Sequence, residues 1–128
     1  KVAAQRQIII APNADSEYLL TDQSLVLRIL GNMTVNALEA IDAGETVTLD
    51  CQADKKEILF TVHNPGEIPA RIKPEIFHRT YSTKGPGRGL GTYSMRLLSG
   101  FLQGEVFFTS TREEGTVFSL RLAKKIDG

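Results

Sequence analysis

Residues 82–92, Ser-Thr-Lys-Gly-Pro-Gly-Arg-Gly-Leu-Gly-Thr, set four glycines at alternate positions beside a lysine and an arginine. Such a run packs poorly in a core and suits an anion. Glycine lets the backbone reach φ > 0 and approach a ligand closely. A helix starting directly after it aims free N–H groups and the positive end of its dipole at that anion. Tyr93, Leu97 and Phe101 recur at helical spacing until Gly104, so the following helix is legible. Flexible surface loops are also rich in glycine, and the neighbouring charge separates the two readings. Arg71, Lys73, Arg79, Lys84, Arg88 and Arg96 face a single acid, Glu75, over this region. The loop is neither of the two commonest nucleotide loops. No register of Gly85, Gly87, Gly89 and Gly91 yields Gly-x-x-x-x-Gly-Lys-Ser/Thr or Gly-x-Gly-x-x-Gly.

A second candidate lies upstream. Asn32 and Asn36 are four apart, hence one turn above each other on a helix, with Glu39 continuing the line. Helix interiors disfavour asparagine, so a stacked pair set off the apolar stripe is better explained by a ligand than by chance exposure. An amide oxygen is a hard donor, suited to Mg²⁺, which keeps waters and takes its other oxygens from phosphates.

The elements that must hold these residues can be read along the chain. Gln7–Ala11 reads as a strand and Pro12–Glu17 as a turn. A helix opens near Asp22, a good N-cap, and carries Val26, Leu30, Met33, Ala37 and Ile41 as its apolar stripe. Val47, Leu49 and Cys51, then Ile58, Phe60 and Val62, alternate as a hairpin that breaks at His63-Asn64-Pro65-Gly66. Pro69–Phe77 reads as a short helix, and a final hairpin pairs Glu105–Ser110 with Thr116–Leu122. The pattern predicts an α+β two-layer sandwich with one sheet face under helices.

With 128 residues, the chain is expected to form one domain, cut from something longer because it starts abruptly at Lys1. Lys plus Arg and Asp plus Glu balance at fifteen each, so no global field draws the protein to nucleic acid or membrane. The lone Cys51 excludes an intrachain disulfide, suits a reducing cytoplasm and is expected as a buried strand residue. No apolar run approaches the roughly 20 residues that span a bilayer, and the first residues are not expected to act as a signal peptide.

In order along the chain stand Asn-x-x-x-Asn-Ala (Asn32–Ala37), Val62-His63-Asn64-Pro65-Gly66, Ile76-Phe77 with Ser82-Thr83-Lys84, Gly87-Arg88-Gly89-Leu90-Gly91, and Gly115-Thr116-x-Phe118. This series resembles the N, G1, F and G2 boxes and closing strand of the ATP-binding catalytic domain of sensor histidine kinases, in the GHKL superfamily. The resemblance runs from about Thr21 to Leu122. It implies the Bergerat fold, a mixed sheet covered by three helices. It also implies ATP and Mg²⁺ as ligands, with Asn36 on the metal and Asn32 near the phosphates. Asn64 would meet the adenine amino group, Gly66 and Ile68 would wall the adenine pocket, and Phe77 would anchor a lid. Lys84 and Arg88 would neutralise the β- and γ-phosphates, Gly85, Gly87, Gly89, Leu90 and Gly91 would form the phosphate loop, and Thr116 would support the adenine end. Asn32, Lys84 and Arg88 would then carry the transfer. The implied partners are the dimerisation helices bearing an acceptor histidine and a response-regulator receiver domain, with no nucleic acid and no membrane contact. The implied setting is the cytoplasm, in a parent that is membrane-anchored in some family members.

The chain departs from the family pattern at several points. Asn64 replaces the usual G1 aspartate, Glu67 stands directly before Ile68 where a second glycine is usual, Glu39 and Ala40 replace a basic residue and an aromatic, and the lid segment is short. Asparagine still accepts through Oδ1 but without charge assistance, so Asn64→Asp is expected from sequence to tighten ATP binding or leave it unchanged. His63 and His78 lack the acidic neighbour of a phosphoacceptor and read as structural. Asn32 argues against the water-activating ATPases of the superfamily, which carry glutamate there. A related anti-sigma serine kinase and a docking module without turnover are the alternative readings.

Overall fold

The computed structural model describes residues 7–10, 23–77 and 90–123, with side chains placed over 24–77 and 92–123. Strand β1 (Gln7–Ile10) is followed by helix α1 (Gln23–Ala40), strands β2 (Thr46–Ala53) and β3 (Glu57–Asn64), helix α2 (Leu90–Phe101), and strands β4 (Glu105–Thr111) and β5 (Gly115–Ala123). The strands order as β1-β2-β3-β5-β4. β2, β3, β5 and β4 form a continuous antiparallel sheet, and β1 runs parallel along the free edge of β2. Two α-helices pack on this sheet among the described residues, which makes the fold α+β. No helix among them is long and apolar enough to cross a membrane.

Helix α1 buries Val26, Ile29, Met33, Ala37 and, just beyond its end, Ile41. Ile29 is fully buried where sequence spacing pointed to Leu30. The three-residue step from Val26 to Ile29 keeps the stripe centred on the sheet, and Leu30 sits half-buried at its margin. The helix leads into a turn closed by two bonds: Glu45 N–H donates to the Asp42 carbonyl at 3.1 Å, and Asp42 N–H to Glu45 Oε1 at 2.8 Å. The expected N-cap at Asp22 and the turn at Pro12–Glu17 lie outside the described residues.

The β2–β3 link is fixed by Asp54, whose Oδ1 accepts from Lys56 N–H at 2.7 Å and Glu57 N–H at 2.8 Å. Cys51 is half-buried rather than buried. It lines a small apolar cleft of about 140 Å³ with Leu30, Leu49 and Phe60, at the margin of the cover given by α1. On the opposite face of the sheet, Arg121 reaches Glu105 at 2.7 Å and Glu57 at 3.6 Å and lies 4.9 Å from the Phe107 ring centroid. These groups are well exposed, and such pairs add little stability.

Helix α2 does not bury the stripe its spacing first suggested. Leu97 and Phe101 are 49% and 70% exposed, whereas Met95, Leu98 and Leu102 enter the core flanked by Thr92 and Ser99. The reason lies at the end of the helix. Gln103 takes the left-handed position (φ 57°) and Gly104 N–H returns to the Ser99 carbonyl at 2.8 Å. A side chain on Gly104 would meet Leu122 Cδ2 at 2.4 Å and the Arg121 carbonyl at 2.8 Å. Docking of this bare backbone on β5 fixes the rotation of α2 and turns Leu102 inward and Phe101 out. The helix expected over Pro69–Phe77 is a single 3₁₀ turn at Lys73–Glu75, with Pro74 in its first positions. It buries none of its own residues, so it does not add a third covering helix among the described residues.

Candidate functional site

The helix-facing side of the sheet changes character at one end. Its rows run Ile58–Leu122, then Phe60–Leu120–Val106, then Val62–Phe118–Phe108, all apolar. The next row is Asn64–Thr116–Ser110, polar in all three strands. These residues are 5%, 3% and 6% exposed. Buried polar groups require partners, and the loop after β3 supplies them.

Ile68 N–H donates to Ser110 Oγ at 2.8 Å, and Thr116 Oγ1 donates to the Gly66 carbonyl at 2.9 Å. Ser110 Oγ and Thr116 Oγ1 are 2.8 Å apart. A hydroxyl carries one proton, and that of Thr116 is directed to Gly66, so Ser110 is the donor between them. The two sides of the Gly66–Ile68 turn are thereby tied to neighbouring strands. Lys73 Nζ adds a bond to the Ser110 carbonyl at 2.8 Å.

Asn64 Nδ2 donates to the Pro65 carbonyl at 2.7 Å. The reversed amide would set two oxygens against each other, so the carbonyl decides which way the side chain faces. The donor is thus used within the protein, and Oδ1 remains on the other edge of the amide as an acceptor. Beside this row, the Phe77 ring meets Phe108 and Phe118 edge-on at 5.8 and 6.1 Å, and those two rings stack at 5.4 Å. The Arg96 guanidinium of α2 lies 5.7 Å from the Phe77 centroid. His63 Nε2 is 2.6 Å from the Glu114 carbonyl and therefore holds the end of β3 to the β4–β5 turn, a structural role.

Gly115 makes this packing possible. It has φ of 81°, and a Cβ there would stand 2.4 Å from the Asn64 carbonyl oxygen and 3.0 Å from His63 Nε2. Gly115→Ala combines a strained backbone with a steric clash and is expected to cost about 2 kcal/mol or more, read as a fall in the thermal midpoint.

The structure therefore gathers Asn64, Gly66, Ile68, Phe77 and Thr116 at one end of the sheet. Asn32 and Asn36 stand apart from them in sequence on α1, one turn from each other and half-buried, and Asn36 is engaged within the fold. Leu90 and Gly91 open α2. Lys84, Gly85, Gly87, Arg88, Gly89 and His78 lie outside the described residues. Sequence reading gave Ser110 no role beyond ending a strand, and counted Lys73 only among the basic residues near the glycine loop, whereas the structure ties its Nζ to the Ser110 carbonyl. Ser110 was signalled by the period-two run Val106, Phe108, Ser110, which sets it inward, but a serine at the end of an apolar strand reads as the strand's stop.

The arrangement of sheet and helices is that of the histidine kinase catalytic domain. The nucleotide-free catalytic domain of histidine kinase ThkA superposes with a TM-score of 0.79 at 24% identity, covering 94% of this chain and 80% of that one. Full-length ShkA in complex with AMPPNP gives 0.80 at 22% identity, over 96% of this chain and 27% of that one. In sequence, the heme sensor protein HssS of Staphylococcus aureus is 28% identical over 123 residues. That match takes in 94% of this chain but 27% of HssS, so the chain spans about a quarter of the length of that relative. The family model described as histidine kinase-, DNA gyrase B-, and HSP90-like ATPase matches residues 21–126. The chain belongs to this family, and membership implies that it binds ATP.

Proposed function

We propose that the chain is the ATP-binding catalytic domain of a two-component sensor histidine kinase. In this reading it holds ATP so that a histidine nitrogen on separate dimerisation helices attacks the γ-phosphorus and ADP leaves. The observation that carries it is the buried polar row Asn64–Thr116–Ser110, which turns the end of an apolar sheet into a seat for a flat heteroaromatic base. Asn64 Oδ1 accepts from the adenine amino group, Gly66 and Ile68 wall the base, Thr116 holds the turn, and Phe77 anchors the segment leading to the phosphate loop. Lys84 and Arg88 neutralise the β- and γ-phosphates, with Gly85, Gly87, Gly89, Leu90 and Gly91 offering backbone N–H groups to them. Phosphoryl transfer asks for little beyond such positioning and charge neutralisation.

Among the described residues no group of His, Cys, Asp or Glu is placed to hold a metal ion. Amide oxygens on α1 fit Mg²⁺ instead, because this ion takes few protein ligands and completes its shell with water and phosphate. Asn36 would hold it, with Asn32 beside the phosphates, and the ion would supply charge neutralisation to the triphosphate. The finer form of the fold, a mixed Bergerat-type sheet under three helices, is part of the same proposal and is supported by the parallel pairing of β1 with β2. So is the view of residues 1–128 as one catalytic module of a longer cytoplasmic or membrane-anchored protein that signals to a response-regulator receiver domain.

The test uses radiolabelled ATP. The isolated chain should bind ATP, release phosphate very slowly and not label itself, and should label dimerisation helices of its parent that carry the acceptor histidine. Brisk phosphate release would favour a hydrolase, and no binding at millimolar Mg-ATP would favour a docking module.

A further inference from the structure

We infer that Ser110, with Lys73 behind it, is a positioning residue for the base end of the nucleotide site and thereby sets its preference for a 6-amino purine. The inference rests on the function proposed above. Neither residue belongs to the motifs that carry the family resemblance, and neither needs to touch the ligand. Ser110 works through the turn that does.

The protons along the network run one way: Ile68 N–H to Ser110 Oγ–H, to Thr116 Oγ1–H, to the Gly66 carbonyl. The hydroxyls of Ser110 and Thr116 each accept from one neighbour and donate to the next, and that of Ser110 is the one that takes the Ile68 N–H. Its loss would orphan the Ile68 N–H and break the tie between the two sides of the Gly66–Ile68 turn at once. The same turn begins at Pro65, whose carbonyl fixes the Asn64 amide so that Oδ1 is presented as an acceptor. An acceptor suits the amino group of adenine and opposes the 6-oxo group of hypoxanthine. If the turn relaxes, the Pro65 carbonyl moves, the amide is free to reverse, and the acceptor that distinguishes the two bases is no longer fixed. Lys73 limits that relaxation from the other side, since its Nζ holds the Ser110 carbonyl and its own backbone N–H holds that of Pro69 at 3.2 Å. Ser110 is buried within β4, so water does not replace its hydroxyl readily.

The experiment compares ATP with inosine triphosphate, which differ at the 6-position of the base. Dissociation constants for both, and the thermal midpoint, are measured for the chain, for Ser110→Ala and for Lys73→Met. Ser110→Ala should lose at least about tenfold of the ATP-over-ITP preference, the effect expected when a buried N–H loses its partner, with ITP affinity little changed. Lys73→Met should lose the preference by about threefold, as for one hydrogen bond at a partly exposed position. A purely structural role would weaken both nucleotides in parallel and leave their ratio alone. An unchanged ratio in folded Ser110→Ala overturns the inference. If that variant does not fold, an unchanged ratio in Lys73→Met overturns it. Failure of the unaltered chain to bind ATP would remove the proposed function and this inference together, whereas ATP binding with unaltered discrimination in the variants removes this inference alone.

Discussion

Asn36→Ala is expected to weaken Mg-ATP binding by about ten- to a hundredfold, the range for losing a bond to a charged group. The fold should survive the change. Asn36 is half-buried on the flank of α1 that borders the buried Val26, Ile29, Met33 and Ala37, and the change removes none of these apolar side chains. Alanine is also the better helix former. Because Asn36 has an interaction of its own within the fold, a small fall in the nucleotide-free thermal midpoint is expected, of about 0.5 kcal/mol in stability. The decisive comparison is calorimetry with and without Mg²⁺. The deficit should be large with the ion and small when a chelator removes it. Equal Mg-ATP affinity in variant and parent would take Asn36 out of the site.

Asn64→Ala should have an effect of similar size but a different signature. It removes the acceptor offered to the base and leaves the Pro65 carbonyl without the Nδ2 donor it has at 2.7 Å. A buried group deprived of its partner costs about 1–3 kcal/mol, so ATP affinity should fall by about tenfold or more, and the loss should persist without Mg²⁺. Asn64→Asp is the sharper comparison. Sequence alone favours a tighter or unchanged complex, since a carboxylate accepts more strongly. The structure reverses that expectation, because a carboxylate has no N–H for Pro65 and would set an anionic oxygen against its carbonyl. Asn64→Asp is therefore expected to bind ATP more weakly than the parent, and tighter binding in titration would show that the Pro65 contact does not orient this side chain.

Where the sequence spoke through strand alternation, the structure follows it closely. The β2–β3 and β4–β5 hairpins fall within a residue or two of their alternating runs, because alternation reports directly on which face is buried. Asn64, Gly66 and Thr116 were legible as a group because motif order carried them. Helix α2 was misread for a definable reason. Tyr93, Leu97 and Phe101 form one apolar line and Met95, Leu98 and Leu102 another, and only the approach of Gly104 to β5, a tertiary contact, chooses between them. The Pro69–Phe77 helix failed because Pro74 and the Ile68 and Lys73 tethers favour one tight turn over propagation. Ser110 escaped notice because its partners, Ile68 and Thr116, are brought to it by strand register and by a turn, neither of which local spacing encodes.

β5 follows the other four strands in the chain, yet it lies inside the sheet, between β3 and β4. A polypeptide leaving the ribosome could close the β2–β3 hairpin early, since its partners are near neighbours. The seat for the base cannot form then, because Asn64 waits for Thr116, half a chain away, and β4 has no partner until β5 returns beside it. Nascent chains stalled before β5 should be unable to retain ATP, and nucleotide in the cell would act as a ligand only of the finished domain, favouring the last step of its folding.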